Sequence, residues 1–415
     1  MYFKSFLFCY LVGWGVIGLA QSSDRSCENL TSYKGLLLCA VDKHPDALKA
    51  KLLWQQNQNL IGMAEQRPNP EINSQVLSGK AGDDSYQYTQ INLAHTFELG
   101  GKRDARIRRS QLQMSNSELD LKLVQEQVYL KTYLALARLR QIQSEMVIYD
   151  DALNTFERIQ KQYRSRPRMT PEQKAIYAIM DIAASDYRLK RQPLLSEIRE
   201  NERFIEIAIG RKFSIRKELY PPLRKKWPIL SPASSEVTEA SLSFKKSLSD
   251  LELAQAEVSE ANSQAWSDLK LGPTFETQSQ GSQKINSFGL NLSFALPVFH
   301  TNGAGKSYAE AGVSRAKMSL AATKEIENQQ WNLQREKYQD AVKSLESALS
   351  FSELEKKHRE VEDSFSTGII PSSLVIEIHR QMADYTKSLS EQENATIEAL
   401  ANIYSIEGRL LSEGL

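Results

Sequence analysis

The feature that most constrains this chain is where glycine and proline are missing. Neither occurs between Gly101 and Pro167, nor between Gly312 and Gly368. These are the residues that most readily end a helix, so each gap has room for one very long helix. Each gap also follows a stretch with apolar residues at every second position. Phe288, Leu290, Leu292, Phe294 and Leu296 alternate with Ser287, Gly289, Asn291, Ser293 and Ala295. Pro297 ends that run, and Asn302-Gly303-Ala304-Gly305 turns the chain. Earlier, Ile91, Leu93 and Phe97 alternate with Gln90, Asn92, Thr96 and Glu98 before Gly100-Gly101. A period of two is that of a half-buried strand. Two strand–glycine–long helix units about two hundred residues apart read as an internal duplication.

Taken in order, residues 1–20 read as a cleaved signal peptide. Lys4 is their only charge, Phe6 to Leu19 is mainly apolar, and Gly18-Leu19-Ala20 is a small-x-small site. At about fifteen residues the apolar run is short for a membrane-spanning helix, which needs roughly twenty. No later stretch is apolar enough to cross as a helix, although a closed β-barrel needs only alternation.

The first repeat is assigned to 21–210. It has an irregular start over 21–35, a helix from His44-Pro45-Asp46 to about Gln66, and strands at Glu71–Leu77 and Tyr88–Leu99. A helix over Arg103–Arg164 follows, then a return helix over Glu172–Ile209 that Pro193 should bend. Leu119, Leu123, Val128, Leu130, Leu134, Leu139, Ile142 and Met146 mark a coiled-coil seam at mixed three- and four-residue spacing. Residues 211–235, with Pro221, Pro222, Pro228 and Pro232, form a connector. The second repeat, 236–415, gives a helix ending near Trp266 and strands around Leu269–Glu276 and Ser287–Leu296. One long helix is then expected over Tyr308–Phe365, and a return helix to Gly408.

In each half two shorter helices roughly match the long one in length. At about 1.5 Å per residue, the first long helix spans roughly 90 Å. The expected fold is α+β: a long antiparallel coiled-coil rod with all four strands at one end. Four strands cannot close, and their edges would be exposed. Three copies supply twelve strands, so closure by oligomerisation is expected.

Composition excludes several functions. The 415 residues carry a formal net charge of +1, with 41% hydrophobic and 25% charged residues. Nothing there points to nucleic acid. The histidines, His44, His95, His300, His358 and His379, are far apart in sequence and show no metal-ligand spacing, so surface or packing roles and no metal are expected. No nucleophile–base pair or phosphate loop is visible, and no enzyme activity or cofactor is expected. Gly100-Gly101-Lys102-Arg103 reads as a turn rather than a phosphate cradle. After the signal, Cys27 and Cys39 are the only cysteines. In an oxidising compartment they read as a disulfide, with two free thiols as the alternative. Asp24-Arg25-Ser26 before Cys27 lacks the small residues of a lipid-anchor box.

Several local motifs add a resemblance. His44-Pro45-Asp46-Ala47-Leu48, Arg67-Pro68-Asn69-Pro70-Glu71-Ile72, Phe97-Glu98-Leu99-Gly100-Gly101-Lys102-Arg103 and Leu296-Pro297-Val298-Phe299 occur in order on the duplicated plan. The chain thereby resembles the TolC-type outer-membrane efflux channels over about residues 36–408, and its Phe97–Arg103 segment resembles the heavy-metal branch. The resemblance implies a homotrimer with a twelve-stranded β-barrel in the outer membrane and an α-helical barrel in the periplasm. It implies a passive exit duct, with heavy-metal cations as one cargo class. Its partners would be a periplasmic adaptor and an inner-membrane pump. The alternative is a periplasmic coiled-coil adaptor, which typically carries one hairpin flanked by lipoyl-like and small β-barrel domains.

Within that resemblance the turn holding Gly368, Ile369, Ile370 and Pro371 is the expected adaptor contact. The matching turn of the first repeat carries Arg166 and Arg168 where the family has glycine. Ile91, Leu93, Phe97, Phe288, Leu290, Leu292 and Phe294 are expected to face lipid. Glu377 is the candidate pore residue; three copies around one axis would repel one another and raise their apparent pKa values. Leu374, Ile378 and Met382 are expected to form the packed stripe beside it.

Overall fold

The computed structural model describes Cys27 and residues 30–224, 226–230, 237–299 and 301–415. The expected signal segment 1–20 lies outside the described residues. Helices α1 (Tyr33–Lys43) and α2 (Pro45–Glu65) lead into strands β1 (Glu71–Ala81) and β2 (Asp84–Phe97). Helix α3 (Lys102–Arg164) is 63 residues long, and α4 (Pro171–Ile209) returns beside it. The second half has α5 (Leu242–Ser263), β3 (Leu269–Gln280), β4 (Gln283–Phe294), α6 (Gly303–Ser347), α7 (Phe351–Ser366), α8 (Ser372–Ile406) and the short α9 (Leu410–Glu413). Mostly helical, the protein carries one four-stranded antiparallel sheet in the order β1-β2-β3-β4. The β2–β3 pairing joins the two halves, and β1 and β4 are its edges.

Two elements differ from the sequence expectation. Residues 33–35, expected to be irregular, belong to α1, with the Ser32 hydroxyl accepting from the Gly35 amide. The second long helix is not continuous: it stops after Ser347 and restarts at Phe351. No Gly or Pro marks the break. Ser350 and Glu353 cap each other reciprocally, an arrangement that marks a helix start. The freed Leu349 carbonyl accepts from the Tyr385 hydroxyl at 3.3 Å. Helix α4, by contrast, runs through Pro193.

The packing makes a rod of paired helices. Helices α2 and α4 both lie along α3; α5 and α8 lie along α6, and α7 packs on α8. Contacts of α3 with α5 and α8 join the halves. The largest core lies around the middle of α3, where α1, the C-terminal part of α8 and the connector converge; Leu36, Leu136, Leu400 and Ile403 are fully buried there. The connector has a 3-10 turn at Lys217–Leu219 and is otherwise irregular in its described residues. Arg140 Nη1 donates to its Pro221 carbonyl at 2.9 Å, and Tyr338 donates to its Pro228 carbonyl at 2.7 Å.

Cys27 and Cys39 are joined by a disulfide with Cα atoms 5.1 Å apart, against this core. Peptide mapping of unreduced protein should recover the two cysteines cross-linked. In the chain-entropy model so short a loop contributes about 3 kcal/mol at most. Alkylation of both thiols in native protein would contradict the bond.

Candidate functional site: a two-faced sheet and the far ends of the helices

Strand register sorts the sheet residues into two faces, because residues directly opposite in an antiparallel pair point the same way. Ile72 lies opposite Leu93, Ile91 opposite Phe275, Phe275 opposite Phe288, and Leu271 opposite Leu292. Val76, Phe97, Leu290 and Phe294 fall on this same face by register. All of these side chains are exposed in one protomer. Water would disfavour so broad an apolar surface, and single soluble chains rarely carry one. All seven residues expected to meet lipid are on it.

The opposite face is polar. Gln90 donates to Glu276 at 2.8 Å, and Lys270 pairs with Glu71 at 2.7 Å. Thr274, Asn92, Asn291 and Ser293 share that face by register. Towards the hairpin ends, away from the helices, both faces become polar around Lys80 to Asp84 and Ser279 to Lys284.

The passage from sheet to helix is fixed by charge and close packing. Gly100 has φ +71°, and a Cβ there would lie 2.5 Å from the Trp266 ring, so both conformation and space demand glycine. Lys102 pairs with Asp268 at 2.6 Å, and Arg106 with Glu98 at 2.8 Å. Arg103 and Arg106 also donate to the carbonyls of Ala64, Glu65 and Gln66, which closes the C-terminus of α2. The Gly-Gly-Lys-Arg segment is therefore a junction whose cations are already engaged.

At the other end of the rod are two helix turns. Gly368 (φ +75°) ends α7 with the Gly368 amide donating to the Phe365 carbonyl and the Ile369 amide donating to the Ser364 carbonyl. This paired closure needs a left-handed residue. It leaves Ile369 strongly exposed, with Pro371 leading into α8. In the first repeat, Thr170 and Gln173 form a capping box that opens α4, so that turn needs no glycine. Arg166 stacks over Tyr163 at 5.3 Å, and both Arg166 and Arg168 are exposed.

Glu377 sits near the start of α8 but is not a bare carboxylate. Arg380 donates to it at 3.0 and 2.7 Å and Gln381 at 2.8 Å. Within one protomer the Arg380 guanidinium holds its carboxyl below the ordinary range, whereas the expected rise belongs to three copies around one axis. The neighbouring stripe is also shifted. Leu374 is 47% exposed, while Val375 and His379 join Met382 among the buried positions and Ile378 packs partly.

The histidines require a larger correction. His44 caps α2 by accepting from the Asp46 amide at 3.1 Å, and His95 packs edge-on against Phe97. His300 lies outside the described residues. His358 and His379, however, meet with their Nε2 atoms 3.1 Å apart. Asp151 and Glu362 complete a group whose candidate ligand atoms all lie within 4.8 Å of one another. Distance in sequence did not reveal this contact, because the hairpin folds α7 back on α8 and brings positions 358 and 379 side by side. One signal was present in the sequence: His358 and Glu362 are four apart, hence on one helix face. Burial, with His379 beside it, holds the His358 imidazole below its usual range. The His379 imidazole 3.6 Å away holds Asp151 low.

No family model matches the sequence, and no curated protein matches it. Solved structures do match the fold. The chain is similar to CusC, a protein described as undergoing folding and transmembrane channel formation (TM-score 0.70, 12% identity, 91% of this chain and 92% of that one). It is similar to the open state of the Neisseria gonorrhoeae MtrE outer-membrane channel (TM-score 0.71, 14% identity, 92% and 90%). It is also similar to the outer-membrane protein VceC of Vibrio cholerae (TM-score 0.67, 13% identity, 91% and 96%). The fold is thus that of the TolC-like outer-membrane channels, over nearly the whole of both chains. Among the described residues no helix is long and apolar enough to cross a membrane.

Proposed function

We propose that the protein is the outer-membrane channel of a tripartite efflux system and works as a passive exit duct. The observation that carries this reading is the exposed apolar sheet face, bounded by two open edges at one end of a helical rod. Three protomers pairing β4 of one with β1 of the next would make a twelve-stranded barrel, with apolar residues towards lipid and Gln90, Asn92 and Asn291 towards water. Helices α2 to α8 would continue the duct as an α-barrel. Residues 1–20 would direct export, 21–210 and 236–415 would be the two repeats, and 211–235 would form an equatorial connector. No catalysis is needed.

The turns at Gly368–Pro371 and Arg166–Arg168 would meet a periplasmic adaptor, itself bound to an inner-membrane pump. Heavy-metal cations are the cargo class favoured by the Phe97–Arg103 resemblance. The deciding experiment uses full-length protein purified from membranes. A heat-modifiable trimer on a gel and discrete conductance steps in planar bilayers are expected. A monomer soluble without detergent, with no conductance, would refute the duct.

Glu377 supplies a second measurement. If α8 lines the narrow end, each Glu377 carboxylate there is balanced by Arg380. Glu377→Gln would then remove three carboxylates and leave each Arg380 facing Asp384 at 4.0 Å, a change of about +3 at the axis, which disfavours cations in a narrow pore. Lower cation selectivity with an intact trimer is expected in bilayer recordings. Unchanged selectivity in an assembled mutant would remove Glu377 from the pore.

A further inference from the structure

Asp151 of α3, His358 and Glu362 of α7 and His379 of α8 converge from three helices. His379 is fully buried and His358 nearly so, while Glu362 is partly exposed and Asp151 opens to solvent. The His358–His379 distance is 3.1 Å; each imidazole Nε2 lies 3.6–4.0 Å from the Asp151 and Glu362 oxygens. A tetrahedral ion with bonds of about 2.0–2.2 Å sets its ligand atoms roughly 3.3–3.6 Å apart. These five separations bracket that value, and all four atoms lie within 4.8 Å of one another.

The surroundings prepare the same arrangement. His379 Nδ1 lies 2.7 Å from the Val375 carbonyl, which fixes Nδ1 as the donor and leaves the Nε2 lone pair facing the group. Two bare Nε2 lone pairs at that separation repel unless a proton or a cation lies between them. Thr155 donates to the Glu362 oxygen at 2.9 Å and so orients it. Phe156 packs edge-on against the His379 ring and keeps water from its inner side. Arg158, 3.7 Å from Glu362, competes for that carboxylate.

We propose that Asp151, His358, Glu362 and His379 bind one divalent first-row transition ion per chain, with zinc(II) the best match. Two imidazoles and two carboxylates satisfy zinc's preference for four nitrogen and oxygen ligands, whereas magnesium and calcium select all-oxygen sites. The ion would be structural, since all four positions are taken by protein and none is open to a reactant. It would fasten α3 of the first repeat to the α7–α8 hairpin of the second. The ligands lie roughly 10–20 Å along their helices from the turns at the end of the rod. Zinc would therefore stiffen that end of the protomer, whether or not the protein is a duct.

The test uses the full chain in detergent, stripped with a chelator and titrated with zinc against a chromophoric competitor. One zinc per chain is expected, unaffected by excess magnesium or calcium. Cobalt(II) in its place should give the intense visible absorption of a tetrahedral centre. His379→Gln should abolish both signals. Asp151→Asn, on the exposed side, should weaken zinc at least about tenfold, and Thr155→Val about 10–100-fold as loss of an outer partner does. These two variants decide the matter if the buried replacement fails to fold. A wild-type chain that binds no zinc in preference to the competitor would overturn the site. So would equal binding by folded Asp151→Asn and Thr155→Val, or an octahedral cobalt spectrum.

Discussion

Glu393→Ala should destabilise the folded chain by about 3–5 kcal/mol, the usual result of removing one member of a buried ion pair. Glu393 on α8 is only 5% exposed. Both of its oxygens lie 2.5 Å from Arg140 on α3, and Gln141 donates to one of them at 2.8 Å. Arg140 reaches further, to the Pro221 carbonyl of the connector. One carboxylate thus ties the first repeat, the second repeat and the connector together. Its loss leaves a guanidinium largely out of water and without its Glu393 counter-charge. The measurement is the denaturant midpoint of purified protein, followed by circular dichroism. The double replacement Arg140→Met with Glu393→Leu should recover much of the loss, because the cost lies in the unpaired charge rather than in the missing attraction. A loss below about 1 kcal/mol in the single variant would mean that the pair behaves as an exposed one.

That pair also shows where sequence reading runs out. Arg140 and Glu393 are 253 positions apart, and neither stands out among the many charges on long helices. Local signals did better. The glycine and proline gaps gave α3 almost to the residue, and alternation gave β2 and β4 together with the face each residue occupies. Strand ends were less legible, since β1 and β2 extend to Ala81 and Asp84 through polar residues that backbone pairing alone holds. The break at 348–350 was missed because its signal is a pair of side chains, Ser350 and Glu353, and not a breaker. Helix α1 escaped notice because its burial depends on α3, α4 and the connector around it. The histidine group is the sharpest case. Its four members come from three helices, and only the i,i+4 relation of His358 and Glu362 is local. Glu377 was legible as an acidic residue near the turn, but its Arg380 partner three positions on was overlooked.

Leu292→Arg should cost roughly 2–4 kcal/mol when the protein folds into a bilayer, the penalty for a cation near the midplane on the lipid side of a barrel. Leu292 is 67% exposed in one protomer and lies opposite Leu271 in the sheet. It falls within the run of exposed apolar residues from Phe288 to Leu296. In water, an arginine at so exposed a position would cost little, since surface substitutions usually stay within about 0.5 kcal/mol. The size of the effect therefore reports the solvent that this face meets. Asn291→Arg is the matched control. It is one residue away on the same strand, and the period of two turns it to the opposite face. If that face lines an aqueous lumen, its penalty should be small. Spin labels at Leu290 and Leu292 should likewise report lipid, and labels at Asn291 and Ser293 water. Refolding into vesicles, with urea titration of the folded fraction, measures both variants. Equal penalties at 291 and 292, or a larger one at 291, would mean that the apolar face is covered by protein and that the strands do not form a barrel in lipid.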